Sequence, residues 1–319
     1  MSRYFIAGGA GFIGSNLVAR LLDQESDAGV VVYDNFLSGH RWHLDAFVDD
    51  RRLTIVEGNI EDSERLIETM RGSDHLIQLA ANADIAAAVD DPLVDFRLGT
   101  FLVHQVLEAA RLTGVSRVTY TSGSGVYGDL GTKEIDETYG PLQPVSTYGA
   151  SKLAGEAIVS AYCHMFDIEG VAFRFANVIG PRQTHGIVYD FVRKLLLDPT
   201  RLVVMGDGSQ SKSYVHVADV LDAVFLIKSR RQSPFDVYNV GTDEYVTVRE
   251  IAELVIDVMG LHNVEIIYGS EPRGWKGDVP IVRFSSEKIR SLGWKSSWSS
   301  LDALRESAMR GLSEAQQAH

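Results

Sequence analysis

The sequence predicts an α/β fold in which a doubly wound parallel sheet carries helices on both faces. The first observation is a regular alternation of short apolar runs with longer amphipathic segments between Arg3 and Phe175. The second is a glycine-rich turn, Gly8-Gly-Ala-Gly11-Phe-Ile-Gly14, between the first apolar run and the first amphipathic segment. In folds of this kind ligands bind at the carboxyl ends of the strands, so the loops after strands are the informative ones.

Run length and periodicity divide the alternation into elements. Predicted strands cover residues 3–7, 30–33, 53–57, 75–79, 117–121 and 170–175. Predicted helices cover residues 12–22, 62–71, 92–112 and 146–166. Beyond residue 175, glycines and prolines interrupt the pattern. We therefore expect a first domain over residues 1–175, to which the chain returns near residues 215–225, and a smaller mixed α/β domain over residues 176–319 that mainly binds substrate.

Composition argues against several classes of protein. The 319 residues are 45% hydrophobic and 23% charged, which is ordinary for a globular protein. A formal net charge of −13 argues against a nucleic-acid or membrane-surface binder. Cys163 is the one cysteine, so no intramolecular disulfide can form. Neither a signal-peptide pattern nor a membrane-length apolar run is present, and the histidines lack metal-ligand spacing; we expect a cytoplasmic protein without a metal site.

The glycine turn predicts a dinucleotide site in a Rossmann-type domain. Gly8, Gly11 and Gly14 permit a tight turn, a close approach to a pyrophosphate and close helix-strand contact. Asp34 ends the second predicted strand, where a carboxylate can accept hydrogen bonds from ribose hydroxyls and repel a 2′-phosphate. The expected cofactor is therefore NAD. Further cofactor contacts are predicted at Phe12, Ile13, Asn35, Asn59, Ile60, Leu79, Ala80 and Ala81.

A second candidate site consists of Tyr148 and Lys152. They lie four residues apart at the start of a predicted helix, so their side chains share one face. A nearby ammonium favours phenolate over phenol, which makes the tyrosine a general base near neutral pH. Such a spacing is common on solvated helix faces, so this interpretation depends on the rest of the chain.

Six features occur in a characteristic order along the chain: Gly8-x-x-Gly11-x-x-Gly14, Asp34, Leu79-Ala-Ala81, Val126-Tyr127-Gly128, Tyr148-x-x-x-Lys152 and Arg174-Phe-Ala-Asn177. With them the chain resembles the extended short-chain dehydrogenase/reductases of the NAD-dependent epimerase/dehydratase family. Within that family it is similar to nucleotide-sugar epimerases of the UDP-glucose 4-epimerase kind. The resemblance implies epimerisation at C4 of a UDP-hexose through a transient 4-keto intermediate, with NAD regenerated, and a homodimer formed through helices 92–112 and 146–166.

The resemblance also implies roles for single residues. Tyr148 would remove the proton of a sugar hydroxyl, and Lys152 would lower its pKa and bind the nicotinamide ribose, so both would also contact NAD. Asn177 matches an asparagine that contacts the nucleotide diphosphate. Lys212 stands where many relatives carry a phosphate-binding arginine, and an ammonium supplies charge there without the bidentate fork. Trp275 replaces a frequent arginine, and Arg273 lies two residues before it. Two interpretations stay open here: Arg273 reaches the phosphates with Trp275 near the base or sugar, or both residues only pack the loop.

One departure concerns the hydroxyl that relatives use to contact the reacting group. Counting back from Val126 places Gly123 at the usual serine or threonine position. Ser122 is therefore the first candidate for this catalytic role and Ser124 the second, unless both hydroxyls only satisfy loop backbone groups.

A second departure bears on the type of reaction. Dehydratases of the family normally carry an Asp-Glu pair where this chain has Ser124-Gly125, so the acid and base for loss of water are missing. Epimerisation is favoured for that reason. A dehydratase or a net oxidoreductase on a related sugar nucleotide is the alternative within the family. A non-catalytic NAD-binding regulatory protein is the alternative from another class.

Overall fold

A seven-stranded sheet lies at the centre of the first compact unit. The structure, a computed structural model, describes residues 2–228 and 233–317, except for the side chains of residues 315–317. The strand order is β11-β6-β5-β4-β1-β2-β3, and the registered pairs among β1 to β5 are all parallel. These strands are β1 (Arg3–Ala7), β2 (Gly29–Asp34), β3 (Leu53–Glu57), β4 (His75–Gln78), β5 (Arg117–Gly123), β6 (Glu169–Phe175) and β11 (Phe235–Val240). The predicted fold class is confirmed.

Helices of the first unit alternate with its strands along the chain. They are α1 (Phe12–Gln24), α2 (Ser63–Met70), α3 (Leu93–Asp95), α4 (Leu102–Thr113) and α5 (Thr147–Phe166). Short 3₁₀ turns cover Arg41–His43, Asp45–Phe47, Ile85–Val89 and Ser124–Tyr127. The apolar faces of these helices and the strands enclose a core that includes Phe5, Leu66, Val106 and Tyr120, each at most 1% exposed.

The single helix predicted over residues 92–112 is wrong in its middle. A π-helical segment, Phe96–Phe101, separates α3 from α4. Gly99 lies in this segment, and a Cβ there would be 2.5 Å from the Ser151 hydroxyl oxygen of α5. The π-helical segment is a local widening of the helix, and it occurs where the two helices approach closely. Because this contact depends on tertiary packing, periodicity alone does not predict it.

The chain divides into two compact units, each made of separate segments. The first comprises Met1–Val126, Thr147–Arg174 and Ile227–Tyr238, and the second Tyr127–Ser146, Phe175–Leu226 and Asn239–His319. The strand that rejoins the large sheet is β11, whereas the predicted point of return, residues 215–225, forms other elements. A division into domains at residue 176 stays a prediction.

The second unit contains small two-stranded sheets and helices around a separate core. Its strands are β7 (Asn177–Ile179), β8 (Arg201–Val204), β9 (Ser211–Lys212), β10 (Tyr214–His216), β12 (Val246–Thr247) and β13 (Glu265–Tyr268). Its helices are α6 (Ile187–Leu197), α7 (Val217–Lys228), α8 (Val248–Val258), α9 (Glu287–Arg290) and α10 (Ser300–Gln317). Val192, Ile251 and Leu304 are buried in this core. Of the helices described in either unit, none has the length and apolar character needed to cross a membrane.

Candidate active site

The turn after β1, residues 8–14, is called the cradle here. It leaves no space for a side chain at two of its glycines. Gly8 has a φ of +82°, and a Cβ on it would lie 2.7 Å from the backbone nitrogen of Ala80. A Cβ on Gly14 would lie 2.4 Å from the carbonyl oxygen of Gly8. The N-terminus of α1 follows at Gly11 without a side-chain cap. Backbone N–H groups and a positive helix end therefore border an open turn, as binding of a pyrophosphate requires.

Asp34 lies at the carboxyl end of β2, beside this turn. Its side chain accepts hydrogen bonds from the N–H groups of Ala10 and Phe36, each at 2.9 Å. Burial raises the pKa of Asp34, and those two N–H groups act in the opposite direction. The carboxylate is held rigidly at the edge of the cradle.

Other predicted cofactor residues share one edge of the sheet, the carboxyl ends of β1 to β4: Phe12, Ile13, Asn35, Asn59, Ile60, Leu79, Ala80 and Ala81. Most of them lie in loops next to the glycine turn. Phe12 and Ile60 differ, because they are only 8% and 6% exposed, and Ile60 packs in the core of the first unit. A contact of Ile60 with a cofactor would have to come from its backbone.

Tyr148 and Lys152 meet on the first turns of α5. The Lys152 nitrogen lies 5.6 Å from the centre of the Tyr148 ring and 5.5 Å from that of Tyr120. It donates a hydrogen bond of 2.9 Å to the carbonyl oxygen of Thr121 on β5. The ammonium is buried and fixed by a neutral acceptor, so its positive charge is not cancelled by a directly bonded carboxylate.

The pKa values of this pair differ from the expectation that Lys152 makes Tyr148 a base near neutral pH. Burial raises the pKa of Tyr148 to about 12, and the negative charge of Asp95 adds to the rise. Burial lowers the pKa of Lys152 to about 8, against the opposing effect of Asp95 and Glu156. In the protein alone, desolvation is the largest influence on the pKa of both side chains.

The two candidate serines differ in what their hydroxyls contact. Ser122 donates a hydrogen bond of 2.5 Å to Glu156. Glu156 in turn forms a buried ion pair of 2.7 Å with Arg174. In the described part of the chain, the half-buried Ser124 has no side-chain hydrogen bond. The geometry thus favours Ser124, the second candidate, as the hydroxyl that is free to contact a substrate.

In the second unit, the predicted phosphate ligands contact carboxylates. Lys212 donates to Asp278 at 2.6 Å, and Arg273 donates to the Asp278 carbonyl and to the Asp129 carboxylate, both at 2.7 Å. Lys212 and Arg273 are thus brought together around Asp278. Asn177, on β7, has an exposed side chain. No group of three or more metal-ligating side chains occurs among residues 2–228 and 233–317.

Comparison with known proteins identifies the family. The model of the NAD dependent epimerase/dehydratase family matches residues 4–241. The chain belongs to this family. A UDP-glucose 4-epimerase of Mycolicibacterium smegmatis is 33% identical, with 92% of this chain and 93% of that protein covered.

Solved structures of family members agree with this assignment. The Thermus thermophilus UDP-glucose 4-epimerase in complex with NAD has a TM-score of 0.86, at 30% identity, and covers 97% of this chain and 98% of its own. The dTDP-glucose 4,6-dehydratase DesIV of Streptomyces venezuelae, with NAD bound, has a TM-score of 0.90 at 28% identity, and covers 99% and 98%. The overall fold thus does not separate epimerase from dehydratase.

NAD is the cofactor of the family, and the residues of this chain fit it. At Gly8 and Gly14 the neighbouring backbone leaves no space for a side chain, so the turn is tight and α1 packs closely against it, as in dinucleotide-binding turns. Asp34 offers a carboxylate at the end of β2, where a ribose diol is bound in such folds and a 2′-phosphate is repelled. The glycine turn, Asp34 and Lys152 would hold the dinucleotide.

Sequence reasoning assigned no role to two carboxylates that hold site residues in place. Glu156 lies four residues after Lys152, on the same face of α5, and that spacing could have indicated a buried partner. Asp278 lies within the run Gly274-Trp-Lys-Gly-Asp278, but nothing in the local pattern identifies Lys212 as its partner.

Proposed function

We propose that the protein is an NAD-dependent nucleotide-sugar epimerase that inverts C4 of a UDP-hexose, UDP-glucose or UDP-galactose, through a transient 4-keto intermediate. The observation that carries the proposal is the pairing of the half-buried Tyr148 with the buried Lys152, whose ammonium is held by a carbonyl rather than by a carboxylate. Family membership and the similarity to UDP-glucose 4-epimerases support it.

In the proposed reaction, the Tyr148 phenolate takes the proton of the C4 hydroxyl and later returns it to the same oxygen. Bound NAD supplies the hydride acceptor and, in its oxidised form, a positive charge. Lys152 adds a second positive charge and holds its position through Thr121. Ser124 donates to or accepts from the reacting oxygen, while Asn177, Lys212 and Arg273 bind the nucleotide diphosphate. No proton or electron is gained or lost overall.

Purified protein with added NAD tests this proposal. We expect UDP-glucose and UDP-galactose each to be converted to the same equilibrium mixture, measured by chromatography of the sugar nucleotides. UDP-sugars that all remain unchanged would contradict the proposal. Release of a 4-keto sugar from dTDP-glucose would indicate the dehydratase, and accumulation of NADH a net oxidoreductase. Binding of NAD without any turnover would favour the regulatory protein.

A homodimer and a cytoplasmic location belong to the same proposal. Large apolar side chains are exposed on the α3–α4 segment and on α5: Leu93, Phe96, Phe101, Leu112, Met165 and Phe166. Such exposure is typical of surfaces that are covered by another molecule. Light scattering should give twice the chain mass of 35.1 kDa. A monomer at micromolar concentration, or recovery of the protein in a membrane or secreted fraction, would contradict these two points.

A further inference from the structure

Asp95 is a buried carboxylate beside the proposed catalytic pair. It ends α3, and its residue is 1% exposed. One carboxylate oxygen accepts a 2.9 Å hydrogen bond from the side-chain amide of Asn82, and the other accepts a 2.7 Å hydrogen bond from the Thr147 hydroxyl. Among the described residues it forms no ion pair. A carboxylate buried without a cation is costly to folding, so its retention calls for a function.

Both partners of Asp95 lie next to residues of the site. Asn82 directly follows Ala81 in the loop after β4. Its side-chain amide also donates to the carbonyl oxygen of Asp84 and accepts from the backbone N–H of Asp84. Thr147 is the first residue of α5 and precedes Tyr148. Asp95 therefore joins the loop at the cofactor edge of the sheet to the helix turn that carries the tyrosine.

The charge of Asp95 acts on both members of the pair. It raises the pKa of Tyr148 and opposes the fall in the pKa of Lys152. Two other titratable groups border the pair. Glu156 also opposes the fall in the pKa of Lys152, but it forms an ion pair with Arg174. Burial raises the pKa of Tyr120 well above its ordinary value, so Tyr120 stays neutral.

We propose that Asp95 is a positioning residue for Tyr148 and Lys152: its two hydrogen bonds fix the start of α5 against the loop after β4, and its charge sets the pH range in which the pair works. This inference rests on the proposed epimerase function. Asp95 acts on the reaction by way of Tyr148 and Lys152 and does not itself contact the reacting atoms.

The decisive variant is Asp95→Asn. An asparagine fits the same bonds, because its oxygen can accept from Asn82 while its amide donates to the Thr147 oxygen. Removal of the negative charge makes a proton easier to lose from both Tyr148 and Lys152. We expect the acid and alkaline limbs of the kcat/KM profile to move together to lower pH, by about 1 unit, the usual size of the effect of one nearby charge. The matched control, Thr147→Val, keeps the charge and removes one bond; kcat should fall with both limbs unmoved.

A fall in kcat for Asp95→Asn without movement of the limbs, or an equal movement in Thr147→Val, would overturn the proposal. If Asp95→Asn does not yield folded protein, Asp95→Ser provides a second neutral variant with the same expected shift. The titration of Lys152 can be followed without turnover, by NMR of the ¹³C-lysine-labelled protein in complex with NAD. The Lys152 signal is assigned as the one that is missing in Lys152→Arg. Its midpoint should fall by about 1 unit in Asp95→Asn. An unmoved midpoint contradicts the role of Asp95, whereas a moved midpoint in an enzyme inactive on all UDP-sugars contradicts only the epimerase proposal.

Discussion

Two lysines of this chain have opposite surroundings, although the sequence marks both as functional. In the first unit, Lys152 donates to a neutral carbonyl and is 5% exposed. In the second unit, Lys212 donates directly to the carboxylate of Asp278 and its side chain is 24% exposed. The buried ammonium keeps its charge available to a neighbouring phenol. The partly exposed ammonium of Lys212 has its charge compensated, so an incoming phosphate must compete with Asp278.

Lys152 and Lys212 carry the same charge, but their surroundings suit them to different functions. A cation that acts on a pKa needs burial and a neutral support, because a directly bonded carboxylate would cancel its field. A cation that binds a diphosphate can rest on a carboxylate and exchange partners when the ligand arrives. Substitutions of Tyr148 and Lys212 test this distinction, and a pair of serine substitutions with a smaller expected effect follows them.

Replacing Tyr148 by phenylalanine removes the group on which Lys152 acts. We expect turnover to fall by roughly 10²- to 10⁴-fold, the usual contribution of a general base. NAD binding, measured by calorimetry, should stay within about twofold, since the ring and Lys152 remain. Turnover equal to that of the wild type would refute the role assigned to Tyr148.

Replacing Lys212 by methionine tests the cation that is paired with Asp278. We expect KM for the UDP-sugar to rise by about 10- to 100-fold with kcat retained, as for loss of one hydrogen bond to a charged group. The exposed Lys276, in the same loop region as Arg273, provides the control, and Lys276→Met should leave KM unchanged. A drop in kcat without a change in KM would show that Lys212 acts on the chemistry, and the contrast with Lys152 would fail.

The two serines give the smallest and most selective test. Ser124→Ala should lower kcat by about tenfold, the worth of one hydrogen bond, with thermal stability unchanged. Ser122→Ala should lower the free energy of unfolding by about 1–3 kcal/mol, since it removes a donor from a buried carboxylate. Differential scanning fluorimetry and initial rates separate the two. If Ser122→Ala lost activity at full stability while Ser124→Ala did not, the assignment would be reversed.

The sequence predicts those parts of the site that depend on local pattern. Gly8 and Gly14 are needed because backbone approaches them at short range, and Tyr148 and Lys152 meet because of helical spacing; both follow from neighbouring residues. The partner of Ser122 is 34 residues away and that of Lys212 is 66 residues away. A side chain chooses such partners only in the folded chain, so neither contact could be read from spacing.

The same limit explains the misplaced elements of the fold. The π-helical segment reflects the packing of Gly99 on Ser151, which periodicity does not record. The raised pKa of Tyr148 in the protein alone has a related origin: the spacing reveals the ammonium, whereas the desolvation and the charge of Asp95 come from the tertiary structure.

The order of strands also has a consequence for how the protein is made. β11 borders β6, yet the ribosome synthesises the chain from Ala176 to Pro234 between the two. At about 5–20 residues per second, the nascent β6 waits roughly 3–12 s for its neighbour. During that interval its unpaired backbone groups form a free sheet edge, with Ala172 and Phe173 not yet covered on all sides. Chaperone contact with the nascent chain, or slow translation between residues 176 and 234, would therefore matter more for this protein than its ordinary composition suggests.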